Sequence, residues 1–508
     1  MGNVYLLGID FGTGGCKISA MDAKGASVAS FSEEYPTRHP HEGWAEQDAA
    51  DWFPALKRCL KRLWSESGVK PEEIAGLALD GSTHNAVLMD RDMKVIRPTI
   101  MWTDQRSVRE SEWLCEHHAD EILRIGYQRP TPTWTLPQML WLKNNEPQVL
   151  QRTARILFVK DYVRYLLTGV VCTDFIEAQG TLFFDVANKK WSPQLCELAG
   201  VPLDALPEIV TPTDQVGSVT QQAALVTGLR EGTPVICGSS DSAIEDYAAG
   251  AIEPGQCIVK LATAGNVNVM TPKAVPDART LTYSHVVPGM WYTVTATNAA
   301  AICLRWFRDN FCTAEKQLAR EKGVSPYQLM GELAAQSPIG ARGLFFHPYL
   351  QGERSPYWDA NLRASFTGIS MAHNKGDFIR ALMEGVAFSL RDCRRVIDDM
   401  GLPINEIRLI GGGARDPLWA QIVCDVFGTP VKLPANSDAS AGSAMLAGVG
   451  VGLFSDVKSA ASQCVRLTSE LQPQEARVKT YTKLFENYQK IHDVLADVYR
   501  ETARQTEK

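Results

Sequence analysis

One backbone plan occurs twice in this chain, and it constrains the fold more than any other feature. Tyr5-Leu-Leu-Gly-Ile-Asp10-Phe-Gly12-Thr13-Gly14-Gly15-Cys-Lys17-Ile reads as an apolar strand, a Gly/Thr turn and a second strand. Ile258-Val-Lys-Leu-Ala-Thr263-Ala-Gly265-Asn-Val-Asn-Val269 follows the same plan about 250 residues later. Two such hairpins predict two related domains, divided near residue 245 into 1–245 and 246–508. No Pro/Ser-rich linker marks that boundary. A chain of 508 residues has room for both, at roughly 150 residues per domain or more.

Strands and helices alternate along the rest of the sequence, without repeats of short period or low-complexity tracts. Asp51–Trp64 reads as an amphipathic helix, Ile74–Leu79 as an apolar strand, and Leu136–Lys143 as a helix starting behind Pro137. Val235–Gly238 and Cys257–Leu261 are short buried strands. Asp377–Met400 is a long helix, followed by strand Ile407–Ile410 and helix Asp416–Phe427. Near the end, Val478, Tyr481, Phe485, Tyr488, Ile491, Leu495 and Val498 form a stripe at helical spacing that predicts a core-facing helix. Alternating β and α elements over this length predict α/β architecture with buried sheets.

Composition removes several function classes. The balance of 51 basic against 58 acidic residues, net −7, leaves no basic surplus for gripping a phosphate backbone, so nucleic acid is not the expected partner. No apolar run is long enough for a membrane span, and the start lacks a basic, signal-like segment. The twelve cysteines are scattered without a CxxC pair. A soluble cytoplasmic protein is expected.

The turn Asp10-Phe-Gly12-Thr13-Gly14-Gly15 is the most informative motif. Its glycines let backbone N–H groups converge on an anion, the Thr13 hydroxyl adds a donor, and Asp10 could hold a magnesium ion. The following Cys-Lys-Ile-Ser reads as strand, which sets the turn apart from dinucleotide-binding and P-loop motifs, since both need a helix there. A plain hairpin turn is the competing reading. Cys237-Gly238-Ser-Ser-Asp241-Ser242 places an acid just past a strand, either as a helix N-cap or as a general base at a cleft. Glu245 and Asp246 fall in the helix-like run behind it, where solvent exposure is expected. Ile410-Gly411-Gly412-Gly413-Ala414-Arg415-Asp416 is strand, triple glycine and helix, a junction that lets a nucleotide approach the backbone or simply turns the chain. Gly43-Trp44-Ala-Glu46-Gln47-Asp48 leads into the first long helix, with Asp48 as an N-cap and Trp44 and Glu46 as packing and surface. Gly81-Ser-Thr83-His84-Asn85 follows a strand where α/β sheets present ligand loops. Trp102-Thr-Asp104-Gln-Arg106 combines an aromatic face with polar groups, suited to a polyol or to loop packing.

In this order, these motifs resemble the FGGY carbohydrate kinases, and within them the xylulokinase branch. The resemblance spans nearly the whole chain: GIDFGTGGCK at 8–17, GWAEQDAADWF at 43–53, WTDQR at 102–106, SSDSA at 239–243, LATAG at 261–265, HPYLQGERSPYWD at 347–359, ALMEGVAFSL at 381–390 and GGGARDPLWAQIVCDVFGTPV at 411–431. It implies two actin-like (ribonuclease H-like) α/β domains flanking a catalytic cleft. It further implies transfer of the γ-phosphate of Mg·ATP to a hydroxyl of a ketose or polyol, with sugar and ATP as the partners, no membrane, and a homodimer as the assembly. By position, Asp241 is the implied base, and Asp10 and Asp241 the implied Mg²⁺ ligands. Gly12, Thr13, Gly14, Lys17 and Thr263 are implied to face the β/γ-phosphates, and Gly412, Gly413 and Ala414 the adenine nucleotide. His84, Trp102, Asp104 and Ser242 fall where the family lines its sugar pocket. The chain departs from the xylulokinase pattern at Thr83, Asn85, Gln138, Ser242 and Ala262, so the phosphotransfer parts are mostly kept while sugar-side parts are altered. Kinases of ribulose, erythritol or glycerol type are the alternatives, followed by an actin- or chaperone-type ATPase and a sugar-sensing pseudokinase.

Overall fold

The computed structural model describes residues 3–506; Met1, Gly2, Glu507 and Lys508 lie outside the described residues. The chain divides into two compact units. The first comprises Met1–Ile252, Pro272–Tyr292 and Asn436–Val465, and the second Glu253–Thr271, Thr293–Ala435 and Arg466–Lys508. Two segments beyond residue 245 thus pack with the first unit, whose chain is not continuous.

In the first unit, β1 (Tyr5–Gly12) and β2 (Gly15–Asp22) pair antiparallel around Thr13 and Gly14, with Gly12 opposite Gly15. β3 (Ser27–Glu34) extends the sheet beyond β2, and β4 (Ile74–Gly81) runs parallel to β1 on its other side. With β5 (Gln215–Ser218) and β6 (Pro234–Ser240) the order is β5-β6-β4-β1-β2-β3. The central strands are buried because their apolar runs are covered by helices. Helix Trp52–Glu66 presents Trp52, Ala55, Leu56, Cys59, Leu60 and Leu63, spaced three and four apart, to the core. Asp48, expected as an N-cap, accepts from the Ala50 N–H and caps the single turn that leads into this helix.

The second unit repeats the plan. β7 (Gln256–Leu261) and β8 (Gly265–Thr271) form the matching hairpin, with Leu261 opposite Gly265. With β9 (Trp291–Thr297), β10 (Glu406–Ile410), β11 (Val431–Pro434) and β12 (Leu467–Leu471), six strands of a seven-stranded sheet lie in the order β9-β8-β7-β10-β11-β12. Strand by strand this matches β3-β2-β1-β4-β6-β5. The parallel neighbours β1/β4/β6 correspond to β7/β10/β11, and each series ends in an antiparallel edge. The duplicated hairpin therefore marks a duplicated sheet.

Helix Lys375–Asp399 forms the spine of the second core, opened by Asn374 and Asp377, each side chain bonding the other residue's N–H. Helix Pro417–Phe427 is capped by Asp416, whose carboxylate accepts from the Trp419 N–H. The C-terminal helix Glu475–Thr506 buries Tyr481, Phe485 and Tyr488 as expected. Its stripe then continues through His492 and Ala496, while Val498 is 50% exposed. The burial follows the period of 3.6: Ile491 and Leu495 are half-buried beside it, and Val498 is the one residue of the expected stripe that is exposed. No helix of the described residues is long and apolar enough to cross a membrane.

Candidate active site

Three acidic or hydroxyl positions stand side by side where β6, β4 and β1 end. The register places Asp10 next to Asp80 and Asp80 next to Ser239, and Asp241 follows directly as β6 passes into helix Asp241–Ala248. The ends of parallel strands are where α/β sheets present ligand-contacting groups. Gly238 makes this geometry possible: at φ +74° a Cβ there would lie 1.7 Å from the Leu79 carbonyl oxygen. The register between β6 and β4 shifts at the same point, which turns the chain so that Asp241 comes forward.

Behind β6 a wholly buried ion network fixes its last residues. Lys160 Nζ lies 2.6 Å from Asp161 Oδ1 and 2.9 Å from Asp174 Oδ2. Asp174 accepts from the Ser239 hydroxyl at 2.8 Å, and Arg164 donates to the Cys237 carbonyl at 2.7 Å. The position of Asp241 is therefore set by buried charge pairing that the linear sequence does not display.

Asp241 Oδ1 accepts from the Thr83 hydroxyl at 2.8 Å and from the Ser242 N–H at 2.7 Å. Ser240, not Asp241, is the helix N-cap, and it makes no side-chain capping bond. Ser242 is exposed and Asp246 is buried, against the expectation of solvent exposure for Asp246. Asp10 is half-buried, and its Oδ1 is shielded without a hydrogen-bond donor. Burial pushes the Asp10 carboxyl up to about 7; a hydrogen bond with Asp80 opposes this, and repulsion from Asp241, Glu245 and Asp438 adds to it. Asp80 is completely buried and lies well above the usual carboxylate range for the same reason, while the Ser443 hydroxyl donates to its Oδ2 at 2.5 Å.

The Thr13 turn is held from three sides. Tyr35 donates to the Gly12 carbonyl at 2.5 Å, Gln47 Nε2 to the Thr13 carbonyl at 2.7 Å, and the Trp102 indole N–H to the Thr13 hydroxyl at 2.8 Å. Gly14 is exposed, with open space around its Cα. Lys17 pairs with Asp438 at 2.5 Å, a partly exposed contact of modest strength.

On the side expected to hold sugar, His84 is buried at φ +51°. Burial pushes its imidazole down to about 3, so the ring is neutral, and Nδ1 has no hydrogen-bond partner. The ring lies 4.5 Å from that of Trp134, and the His84 N–H donates to the buried Glu177 at 2.6 Å. Trp102 is 36% exposed. Asp104 is placed differently from a sugar contact: it is fully buried, with both oxygens taken by the Arg106 guanidinium and by the N–H groups of Ala45 and Arg106. Such a saturated carboxylate organises its own loop.

The departures from the family pattern converge on the same loops. Asn85 accepts from the Trp102 N–H at 2.5 Å, and Gln138 donates to the Met101 carbonyl at 3.2 Å. Thr83, Gln47, Asp80 and Glu177 bond or neighbour these candidate residues, and the sequence assigns none of them a role. Two signals were available: Thr83 as a departure from the family pattern, and Asp80 as a charge closing an apolar strand run.

In the second unit, the Thr263 hydroxyl accepts from Arg305 at 3.0 Å, and its carbonyl accepts from the Ala300 N–H at 2.9 Å. The glycine junction forms one tight turn, Gly412–Arg415, between β10 and helix Pro417–Phe427. Gly411 has φ +92°, and a Cβ there would lie 2.6 Å from the Leu261 carbonyl oxygen. Gly412 is exposed, Gly413 is buried against Leu261 and Trp419, and Ala414 is half-buried.

Comparison with known proteins agrees with this construction. Residues 5–245 match the model of the FGGY carbohydrate kinase N-terminal domain, and residues 259–451 that of the C-terminal domain. The chain is 34% identical over 497 residues to a xylulose kinase of Bacillus subtilis strain 168, covering 97% of this chain and 98% of that one. A solved xylulose kinase from Rhodospirillum rubrum superposes with a TM-score of 0.87 at 30% identity, over 98% of this chain and 100% of that chain. A gluconate kinase from Lactobacillus acidophilus reaches 0.90 at 26% identity, over 99% and 100%. The duplicated sheet is thus the actin-like fold of sugar kinases, and the chain belongs to the FGGY family of carbohydrate kinases.

Proposed function

We propose that the chain transfers the γ-phosphate of ATP to a hydroxyl of a ketose or polyol, with Asp241 as general base. The observation that carries this reading is the Thr83–Asp241 hydrogen bond, which fixes a carboxylate at the end of β6 beside Asp10. A sugar hydroxyl is a poor nucleophile until its proton has somewhere to go. Asp241 takes that proton as the oxygen bonds to the γ-phosphorus, the β,γ-bridging bond breaks, and ADP leaves. The turn at Gly12, Thr13 and Gly14, with Lys17, holds phosphate oxygens in this reading; within the second unit, Thr263, Gly412, Gly413 and Ala414 are the residues we assign to nucleotide.

Magnesium fits this site. Mg²⁺ is commonly held by one or two carboxylates together with substrate phosphates, and the shielded, undonated Oδ1 of Asp10 suits such a ligand, with Asp241 near enough to repel it. When bound, the ion would neutralise charge on the transferring phosphate. His84, Trp102 and Ser242 face the sugar in this reading, and Asp104 shapes the loop that carries Trp102. We place the enzyme in the cytoplasm, on the strength of twelve free cysteines.

A coupled ADP-release assay over ketoses, polyols and aldonates tests the proposal. The names of the relatives put xylulose first in the panel and gluconate next. ATP turnover should rise well above the acceptor-free rate with one acceptor class; turnover indifferent to every acceptor refutes the reading. Once an acceptor is found, His84→Ala should raise its KM by about tenfold, the worth of one lost hydrogen bond, while the KM for ATP stays within about twofold. Equal shifts in both constants would remove His84 from the sugar side.

A further inference from the structure

The segment Ala45–Gln47 makes two sets of contacts that no catalytic role so far explains. On one side it carries the loop that bears Trp102. Glu46 and Gln47 pair with Ile100 and Thr99, the Ala45 carbonyl accepts from the Met101 N–H at 3.0 Å, and the Ala45 N–H donates to Asp104 at 2.6 Å. Glu46 Oε1 receives Arg106 at 2.8 Å and Arg97 at 2.6 Å, and the Arg106 guanidinium lies 3.7 Å above the Trp44 ring. On the other side Gln47, only 1% exposed, reaches the phosphate turn, where Nε2 donates to the Thr13 carbonyl at 2.7 Å. Its own amide is locked, because Oε1 accepts from the Trp52 indole at 3.0 Å and Nε2 also reaches Thr37 Oγ1 at 2.9 Å. The same loop returns to the turn through Trp102, whose indole N–H donates to Thr13 Oγ1.

Thr13 is therefore gripped twice, at its carbonyl by the strap and at its hydroxyl by the loop the strap carries. We infer that Gln47 and Trp102 are positioning residues for phosphoryl transfer, joining the phosphate turn and the sugar-side loop into one rigid piece. The inference rests on the kinase reading above. Phosphoryl transfer depends on alignment, and small misplacements of the reacting groups are costly. A turn built of Gly12, Thr13, Gly14 and Gly15 has little stiffness of its own. The stiffness has to come from outside the turn, and Tyr35, Gln47 and Trp102 supply it.

The test compares Gln47→Met, which keeps length and loses the amide, with Thr13→Val, Trp102→Phe and their double variant. Gln47→Met should melt near the wild-type temperature and lower kcat about 10- to 100-fold, with the sugar KM within about twofold. Thr13→Val and Trp102→Phe delete the same hydrogen bond, so their losses in kcat should be strongly non-additive. Thr13→Ser keeps the hydroxyl and should restore most of the rate. A Gln47→Met kcat within about twofold of wild type overturns the inference, as does full additivity of the two losses. Should Gln47→Met fail to fold, the Thr13/Trp102 cycle decides alone. Calorimetric binding of Mg·ATP separates this proposal from the kinase reading. A wild-type chain that binds the nucleotide and phosphorylates nothing refutes the kinase reading. Weaker binding in Gln47→Met then still upholds the role of Gln47 at the turn, and unchanged binding overturns it.

Discussion

Asp241→Asn should lower kcat by about 10²-fold or more while the KM for ATP barely moves. The substitution keeps shape and removes only the ability to take a proton. An asparagine Oδ1 can still accept from the Thr83 hydroxyl and the Ser242 N–H, two of the bonds that orient the native carboxylate. Asp241 lies in the first turn of helix Asp241–Ala248, where a negative charge is favourable by about 0.3–1 kcal/mol, so any cost to folding is small. The competing role, a helix cap, makes the opposite forecast. Asn caps about as well as Asp, and the N-cap position here is already occupied by Ser240. Of the other acids on this helix, Asp246 is buried and Glu245 lies a turn further along. Steady-state kinetics on a folded variant decide the matter, and a kcat within about threefold of wild type would sink the base assignment.

What the sequence made legible was local. Both hairpins could be read because an apolar run, a glycine-rich turn and a second apolar run are adjacent in the chain. The place of Asp241 at a strand end could be read because an acid directly after a buried strand is a short-range pattern. Thr83 was visible as a departure, but its partner lies 158 positions away, and no spacing rule reaches that far. Gln47 sits in a segment that reads as the approach to a helix, yet its side-chain amide meets the carbonyl of Thr13, 34 positions earlier. Asp104 shows the converse: a polar residue beside a tryptophan suggests a polyol contact, and only the fold reveals that Arg106 and Ala45 consume its carboxylate. The non-contiguity of the first unit is of the same kind, because the return of Asn436–Val465 depends on Ser440 and Ser443 meeting Ser19 and Asp80. Residue type announces chemistry, and the long-range partner decides whether that chemistry is available to a substrate.

Asp10→Asn should move activity and stability in opposite directions. Phosphoryl transfer should fall by about 10²-fold or more, since a charged group that organises transferring phosphates is hard to replace. The unliganded variant should nevertheless melt about 1–3 °C above wild type at pH 8. In the folded protein the Asp10 carboxyl is pushed up to about 7, chiefly by burial, against an ordinary value of 3.8. A raised carboxyl makes the folded state hold its proton more tightly than the unfolded chain does. Its contribution is therefore fully present below about pH 4 and is lost as pH rises through about 7. Above that, folding forces a charge into a shielded position beside Asp80 and within reach of Asp241, Glu245 and Asp438. Asparagine relieves that repulsion, and its amide can donate to the undonated Oδ1 of Asp80. The gap in melting temperature should consequently close as the pH falls toward 4. Adding Mg·ATP should reverse the order at pH 8, because only the wild-type carboxylate gains a cation to face. Thermal melts at pH 5 and pH 8, with and without Mg·ATP, read all of this. A variant less stable than wild type at pH 8 without ligand would show that Asp10 holds the fold together, and strain held in reserve for the phosphate would no longer describe it.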